Sequence, residues 1–399
     1  MTNRSTSPHP SVLVVGAGPV GLAAALLLRA RGLGVTVLEA SARGAPRPGS
    51  RAIFLHRQSL ATLAGADPAL GAALVGRGLV WSARSTHYAG REVHRRTYHP
   101  PPVHRAPFSA LPQPVIEEEL RAACVRAGVD VRWEAPVRSL SSAPDGVLVR
   151  TPQDVHRAAY AIGCDGARSA VREAIGVRLR GPRSPHTFIV LDVADDPAHP
   201  VPAERVFHYR DPRLGGRNVL IAPFRGGVRV DVQCAGRGGE AAADPDDAAA
   251  VAASAADWLP ALLPEGHPAA VTWSSRYRFQ QAVADSFVDA HGRVLLAGEA
   301  GHLFAPFGAR GLNSGIADAA AAAGALAEGD VAGYADARRR AATLNRRASG
   351  RALTHLTSPW SRAAQRLAAA SAPRSRRAGR WLDDAPYGPR DAGIPGSKY

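Results

Sequence analysis

Lysine is all but missing from this chain: of 49 basic residues in 399, only Lys398 is a lysine. Acid is missing from one long stretch, Arg338 to Arg380, which holds 12 arginines and no Asp or Glu. With a net charge of +15, that stretch leaves the remainder with only about +3. A basic tail on a near-neutral body excludes a globally basic nucleic-acid binder. Aromatic residues, at 6%, are too sparse for a lectin-like or base-stacking surface. The three cysteines, Cys124, Cys164 and Cys234, stand far apart with no CxxC spacing. That argues against a disulfide framework or a zinc site and fits a reducing compartment. The one long uncharged run, Ser11 to Leu28, is cut by Gly16, Gly18, Pro19 and Gly21, so it reads as strand, turn and helix rather than as a membrane span or signal peptide. The expectation is a soluble, cytoplasmic protein that binds neither membrane nor nucleic acid, with no metal. At 46% hydrophobic and 21% charged, the chain can bury a large core and is not disordered. No internal repeat is visible.

Val12-Leu13-Val14-Val15 has the texture of a central parallel strand, apolar on both faces. A helix from Val20 to Arg31, closed by Gly32, and a second strand, Val35 to Leu38, complete a βαβ start. A basic Gly/Pro-rich loop, Arg43 to Gly49, precedes a helix over about 57–63. Pro100-Pro101-Pro102 marks a crossing between lobes, and Pro114 opens a helix through Ala127. Strands are predicted over 129–133, 147–150, 156–162 and 294–297, and an alanine-rich helix over 316–326. Between Phe188 and Cys234 alternation with Gly- and Pro-containing turns predicts an antiparallel sheet, hence a different lobe. The α/β pattern stops and resumes, so one domain is discontinuous. The predicted fold is α/β: a doubly wound, Rossmann-like nucleotide domain (1–75, 106–180, 286–335), an inserted antiparallel β-rich lobe (76–105, 181–285) and a helical, Arg-rich C-terminal segment (336–399).

Three constellations carry chemistry. In Gly16-Ala-Gly18-Pro19-Val20-Gly21, Gly16 permits the tight turn, Gly18 lets backbone approach a pyrophosphate, and Gly21 allows close helix–strand packing at a helix N-terminus. Glu39, 18 residues past Gly21, is placed to accept from an adenosine ribose and to repel a 2′-phosphate, which favours FAD or NAD over NADP at this loop. Gly163-Cys164-Asp165-Gly166-Ala167-Arg168-Ser169 follows a strand and precedes a helix; alone it could be an ordinary capped turn. From Leu296 through Gly298-Glu299, His302, Pro306, Gly308, Arg310, Gly311, Leu312, Asn313 and Gly315, a buried strand ends in an acid. A Pro/Gly-rich loop then aims a second helix N-terminus at an electron-rich ring.

Together these segments, spread over most of residues 11–328, resemble the single-component FAD-dependent aromatic hydroxylases typified by para-hydroxybenzoate hydroxylase, and most closely the actinobacterial members associated with phenols and aromatic polyketides. By that resemblance Arg51 reaches the FAD pyrophosphate and Gln113 contacts the flavin. Asp165, Gly166 and Arg168 lie where FAD and nicotinamide-nucleotide binding meet. Gly298 and Glu299 take the ribityl chain, and Pro306, Gly308, Gly311, Leu312 and Asn313 line pyrophosphate and isoalloxazine. Glu299 stands where the family usually has aspartate, and the thioredoxin-like extension of some relatives is not expected here.

The implied activity is that of a monooxygenase using NAD(P)H and O2 to hydroxylate an aromatic small molecule through a flavin C4a-hydroperoxide, the cofactor carrying the hard chemistry. No Gly-x-Ser-x-Gly elbow is present. A second glycine fingerprint is also absent, which disfavours flavoproteins with a separate NAD(P)H domain. Lys398, the penultimate residue, disfavours halogenases that use an active-site lysine. In the β-rich lobe the polar candidates for activating a phenol are His208, Tyr209 and Gln233, with Arg276 or Arg278 for the nicotinamide nucleotide; packing roles weigh more heavily for each. The arginine-rich tail reads first as the solvated faces of terminal helices, next as an attractor of an anionic substrate or NAD(P)H, and last as a nucleic-acid contact. Alternatives are an FAD-dependent oxidase, epoxidase or reductase on the same scaffold and, more distantly, a non-enzymatic nucleotide- or nucleic-acid-binding module.

Overall fold

Val12 to Val15, buried on both faces, lie in the central strand of a five-stranded parallel sheet. The structure is a computed structural model and describes residues 11–45, 54–98, 106–234 and 253–388. This sheet holds β1 (Ser11–Val15), β2 (Gly34–Leu38), β7 (Asp130–Arg132), β11 (Tyr160–Gly163) and β19 (Val294–Leu296) in the order β19-β11-β1-β2-β7. Helix α1 (Pro19–Ala30) starts at a proline that gives up an N–H it could not have bonded, and buries Leu22 to Leu28. It packs against α4 (Gln113–Arg126) and α6 (Arg310–Glu328), whose buried Ala319, Ala322 and Ala323 permit close approach. Between them lie α2 (Arg57–Ala66), α3 (Pro68–Gly76) and α5 (Ala170–Ala174); α3, capped by the Asp67 carboxylate, has no counterpart in the sequence reading.

A second, seven-stranded sheet has the order β17-β13-β16-β15-β14-β4-β5. Its strands are β4 (Ala83–Tyr88), β5 (Arg91–Thr97), β13 (Arg183–Ala194), β14 (Glu204–Asp211), β15 (Arg217–Phe224), β16 (Gly227–Gln233) and β17 (Val271–Gln280). One pair departs from the predicted antiparallel pattern: β4 and β14 run parallel, Arg84 facing Arg205. Strands so far apart in sequence are joined by a long crossing, not a hairpin, and that is the condition for parallel pairing. Smaller sheets hold β3 (Phe54–His56) with β6 (Phe108–Ala110); β8 (Ser139–Ala143), β9 (Gly146–Arg150) and β10 (Val155–Ala158); and β12 (Leu179–Arg180), β18 (Ala282–Ala284) and β20 (His302–Leu303). The single strand expected over 156–162 is thus two, β10 and β11, in different sheets.

The seven-stranded sheet is two-faced. Ile189, Leu191, Val219, Ile221, Val228, Val230 and Val232 point one way into an apolar cluster with Leu259 and Leu262. Their alternate neighbours face the other way, as the two-residue strand period requires. The chain closes with α7 (Val331–Thr357), α8 (Pro359–Ser371) and α9 (Arg376–Asp384). Among the described residues no helix is long and apolar enough to cross a membrane. Not every arginine of this segment is solvated: Arg338 is nearly buried, with Nε 2.5 Å from Asp318 Oδ1.

Candidate functional site

The turn after β1 is fixed by its own backbone. Gly16 has φ +98° and donates its N–H to the Leu38 carbonyl at 2.7 Å; a Cβ there would meet the Cys164 carbonyl oxygen at 2.7 Å. A Cβ on Gly21 would sit 1.9 Å from the Gly16 carbonyl oxygen, so only hydrogen fits. Gly18 is the N-cap of α1, which has neither a side-chain cap nor an acid in its first turn. Its free N–H groups and positive dipole end form a ready anion site. Buried Glu39 accepts from Ala17 N at 2.6 Å and Ser41 N at 2.9 Å, so part of its task is holding the glycine turn. A carboxylate has further lone pairs for a ribose diol.

On the neighbouring strand end, Asp165 accepts from the Ser169 hydroxyl at 2.5 Å and Val171 N at 3.0 Å. Burial pushes its carboxyl up, against the pull of those bonds. Asp165, Gly166 and the exposed Arg168 line the same cavity as Gly16, Gly18, Pro19, Val20 and Glu39.

The second cradle is built by a buried ion network. Asp318 of α6 accepts Gly298 N at 2.9 Å, lies 2.7 Å from His302 Nε2 and pairs with Arg338. Burial alone would raise this carboxyl, but the Arg338 and His302 charges and the hydrogen bonds from His302 and Gly298 hold it below the usual range. Gly298 lies inside this network, and Glu299 beside it lines the cavity together with Gln113, Pro306, Gly308, Gly311 and Leu312. The α6 N-terminus follows Gly308 (φ +77°) and Ala309 (φ 51°) and, like α1, has no side-chain cap and no acid in its first turn. Asn313 faces inward: its Oδ1 accepts from His56 N at 2.9 Å and the Ser59 hydroxyl at 2.7 Å, and its Nδ2 donates to Phe54 O and Ala309 O. It ties α6 to the β3 segment. Arg51 lies outside the described residues.

Both cradles open into one cavity of about 800 Å³ that extends under the seven-stranded sheet. Strand register sets its ceiling in rows. One row runs Trp273, Asp192, Arg229, Ala222, with Arg205 and Arg84 paired beyond it. The next runs Ser275, Val190, Asp231, Leu220, Phe207. Phe54, Trp81, Phe108, Phe188 and Phe307 add apolar walls. Arg229 and Asp192 form a two-pronged pair, Nε–Oδ1 2.8 Å and Nη2–Oδ2 2.9 Å. Arg84 is ion-paired to Asp383 and, at 3.0 Å, to Asp384.

The three polar candidates lie elsewhere. His208 alternates to the opposite face, 3.2 Å from Asp211 and 4.7 Å centroid to centroid from His87. Tyr209 is fully buried against the C-terminal helices, its hydroxyl donating to Leu382 O at 2.7 Å and meeting His355 Nε2 at 2.9 Å. Gln233 accepts from Asn218 Nδ2 at 2.8 Å, and it is Asn218 that lines the cavity. Sequence reasoning passed over Asp192, Arg205, Arg229 and Asp231. The signal was there: Arg229, Asp231 and Gln233 alternate with three core valines.

Two uncapped helix N-termini, a carboxylate beside each, and an apolar wall fit a molecule with a diphosphate, polyols and a flat ring. This fold and site define a dinucleotide-binding α/β flavoprotein. The chain belongs to the FAD binding domain family, which it matches over residues 9–354. It is 32% identical over 324 residues to 6-methylpretetramide 4-monooxygenase of Streptomyces rimosus, covering 78% of this chain and 54% of that one. It is 32% identical over 322 residues to dialkyldecalin synthase of Streptomyces rugosporus, covering 77% of this chain and 63% of the relative. The chain thus spans little more than half the length of these curated relatives. Among solved structures, p-nitrophenol 4-monooxygenase of Pseudomonas putida DLL-E4 is 25% identical with a TM-score of 0.73, over 94% of this chain and 95% of that one.

Proposed function

We infer that the chain holds FAD along the cavity and, with NAD(P)H and O2, hydroxylates an aromatic small molecule of phenolic or polyketide type. The carrying observation is the continuity of the cavity from the Gly16–Gly21 turn, past the α6 N-terminus, to the aromatic and charged ceiling. The names of two relatives, a pretetramide and a nitrophenol monooxygenase, support the substrate class. On this reading the α1 N-terminus takes the pyrophosphate, Glu39 the adenosine ribose and Glu299 the ribityl hydroxyls. Gln113 and the loop through Pro306, Gly308 and Leu312 border the ring. The α6 N-terminus offsets negative charge on the reduced ring, an electrostatic aid strongest in a dry site. Bound FAD supplies hydride acceptance and transfer of one oxygen atom from O2. The substrate lobe is 76–105 with 181–285; the FAD lobe is 1–75, 106–180 and 286–335. We place the protein in the reducing cytoplasm, where its three buried cysteines stay reduced.

Product mass tests the reaction. A gain of one oxygen, with one NAD(P)H consumed per product, is the expected result with phenolic and polycyclic substrates. Loss of two hydrogens would replace hydroxylation by oxidase chemistry. A product of unchanged mass formed without O2 would exclude both hydroxylation and oxidase chemistry.

A further inference from the structure

The ceiling row that follows the Asp192–Arg229 pair has a carboxylate at its centre. Asp231 sits on β16 between Val190 and Leu220, two aliphatic neighbours that cannot bond it, and it lines the cavity. Its Oδ1 is shut off from solvent and has no hydrogen-bond partner among the described residues. Arg229, two residues before it on the same face, is committed to Asp192. Arg205 is buried beyond Ala222. Its Nη1 also lacks a hydrogen-bond partner among the described residues and comes no nearer to Asp383 Oδ1 than 4.0 Å, and its guanidinium lies 4.2 Å from the Tyr387 ring centroid. Gln233 and Asn218 bond each other; Ser275, Tyr98 and Tyr387 also line the cavity, the Tyr387 hydroxyl being buried with no hydrogen-bond partner among the described residues. A buried polar group without a partner is costly and persists where a ligand completes it.

We propose that Asp231 accepts the hydroxyl proton of a phenolic substrate lodged under the seven-stranded sheet, while Arg205 holds the charge left on the phenolate. The proposal rests on the hydroxylation reading. In the step, the substrate O–H bond breaks, its electron pair stays on oxygen and enriches the ring, and the proton forms an O–H bond on the Asp231 carboxyl. Burial pushes that carboxyl up to about 6, with Asp192 adding to the rise and Arg229 and Arg205 opposing it. A proton acceptor that titrates near neutrality suits this transfer. The pair then holds one proton between two oxyanions, as coupled sites in a dry pocket do.

The test uses FAD-loaded protein and p-nitrophenol, whose phenol and phenolate absorb differently. About one unit above the phenol's own pKa, free ligand and free Asp231 are both ionised. Binding to the wild type should then take up close to one proton per complex, read by calorimetry in two buffers of different ionisation enthalpy. Asp231→Asn should bind with near-zero uptake and an affinity that no longer weakens as pH rises. Asp231→Glu should restore the uptake. Equal uptake by wild type and Asp231→Asn, or none by the wild type, overturns the role of Asp231 and leaves the hydroxylation reading standing. Failure of the wild type to bind p-nitrophenol or any other phenolic or polycyclic aromatic compound overturns the hydroxylation reading, and this proposal with it.

Discussion

Asp318, in the middle of α6, accepts the backbone N–H of Gly298 at 2.9 Å and so ties the turn at Gly298 and Glu299 to that helix. The same carboxylate neutralises Arg338 and meets His302. Removing it leaves a buried cation unpaired, which costs several kcal/mol. Asp318→Asn should therefore lower stability by about 3 kcal/mol and weaken FAD retention, measured by denaturant unfolding and by flavin-to-protein ratio. Its depressed carboxyl contributes stability that is full above the unfolded value, near 4, and is lost as pH falls through the lower folded value. The variant's acid unfolding should accordingly be flatter below about pH 4.

The glycine turn offers a paired test. Gly21→Ala drives a Cβ to 1.9 Å from the Gly16 carbonyl oxygen, and neither backbone can yield without moving the turn. Gly34→Ala at the start of β2 meets nothing within 4 Å. The first variant should purify without FAD or fail to reload it; the second should keep it. Stoichiometric flavin in Gly21→Ala would mean that the turn does not grip the dinucleotide.

Tyr209→Phe should cost about 1–2 kcal/mol, because the Leu382 carbonyl loses its donor inside the C-terminal packing. FAD affinity and substrate-dependent NAD(P)H consumption should be unchanged. A large loss of turnover with stability intact would restore Tyr209 as a catalytic group.

Three histidines give a pH signature. Burial brings His56, His208 and His355 each down to about 4, so they stay neutral when the unfolded chain, near 6.5, is already protonated. Between those values the unfolded state binds more protons, and stability rises with pH. Asp231, raised to about 6, and Asp165, also raised by burial, oppose this over part of the range, while His87, His94 and His186, likewise lowered by burial, add to it. The melting temperature should climb from about pH 4 to 6.5 and then level off. His355→Gln should make that climb shallower.

The nucleotide half was legible because its signals are local. Val12–Val15, the glycines after them and Glu39 lie within one βαβ unit, where apolar runs, turn residues and a helix start have fixed physical meanings. The third constellation was readable for the same reason, down to the start of α6 near Gly311. Asn313 shows where such reading stops: its sequence context places it at the loop, but only its four partners show it turned inward as a tie between α6 and β3.

By itself, the sequence determined the parallel sheet, the two helix N-termini aimed at one ligand and the presence of a second, strand-rich lobe, because each follows from residues a few positions apart. Tertiary structure alone decided which polar groups face the cavity. Arg84 meets Arg205, and Asp192 meets Arg229, through pairings between strands distant along the chain, and a shift of one residue in any of them would turn the ceiling's charges to the opposite face.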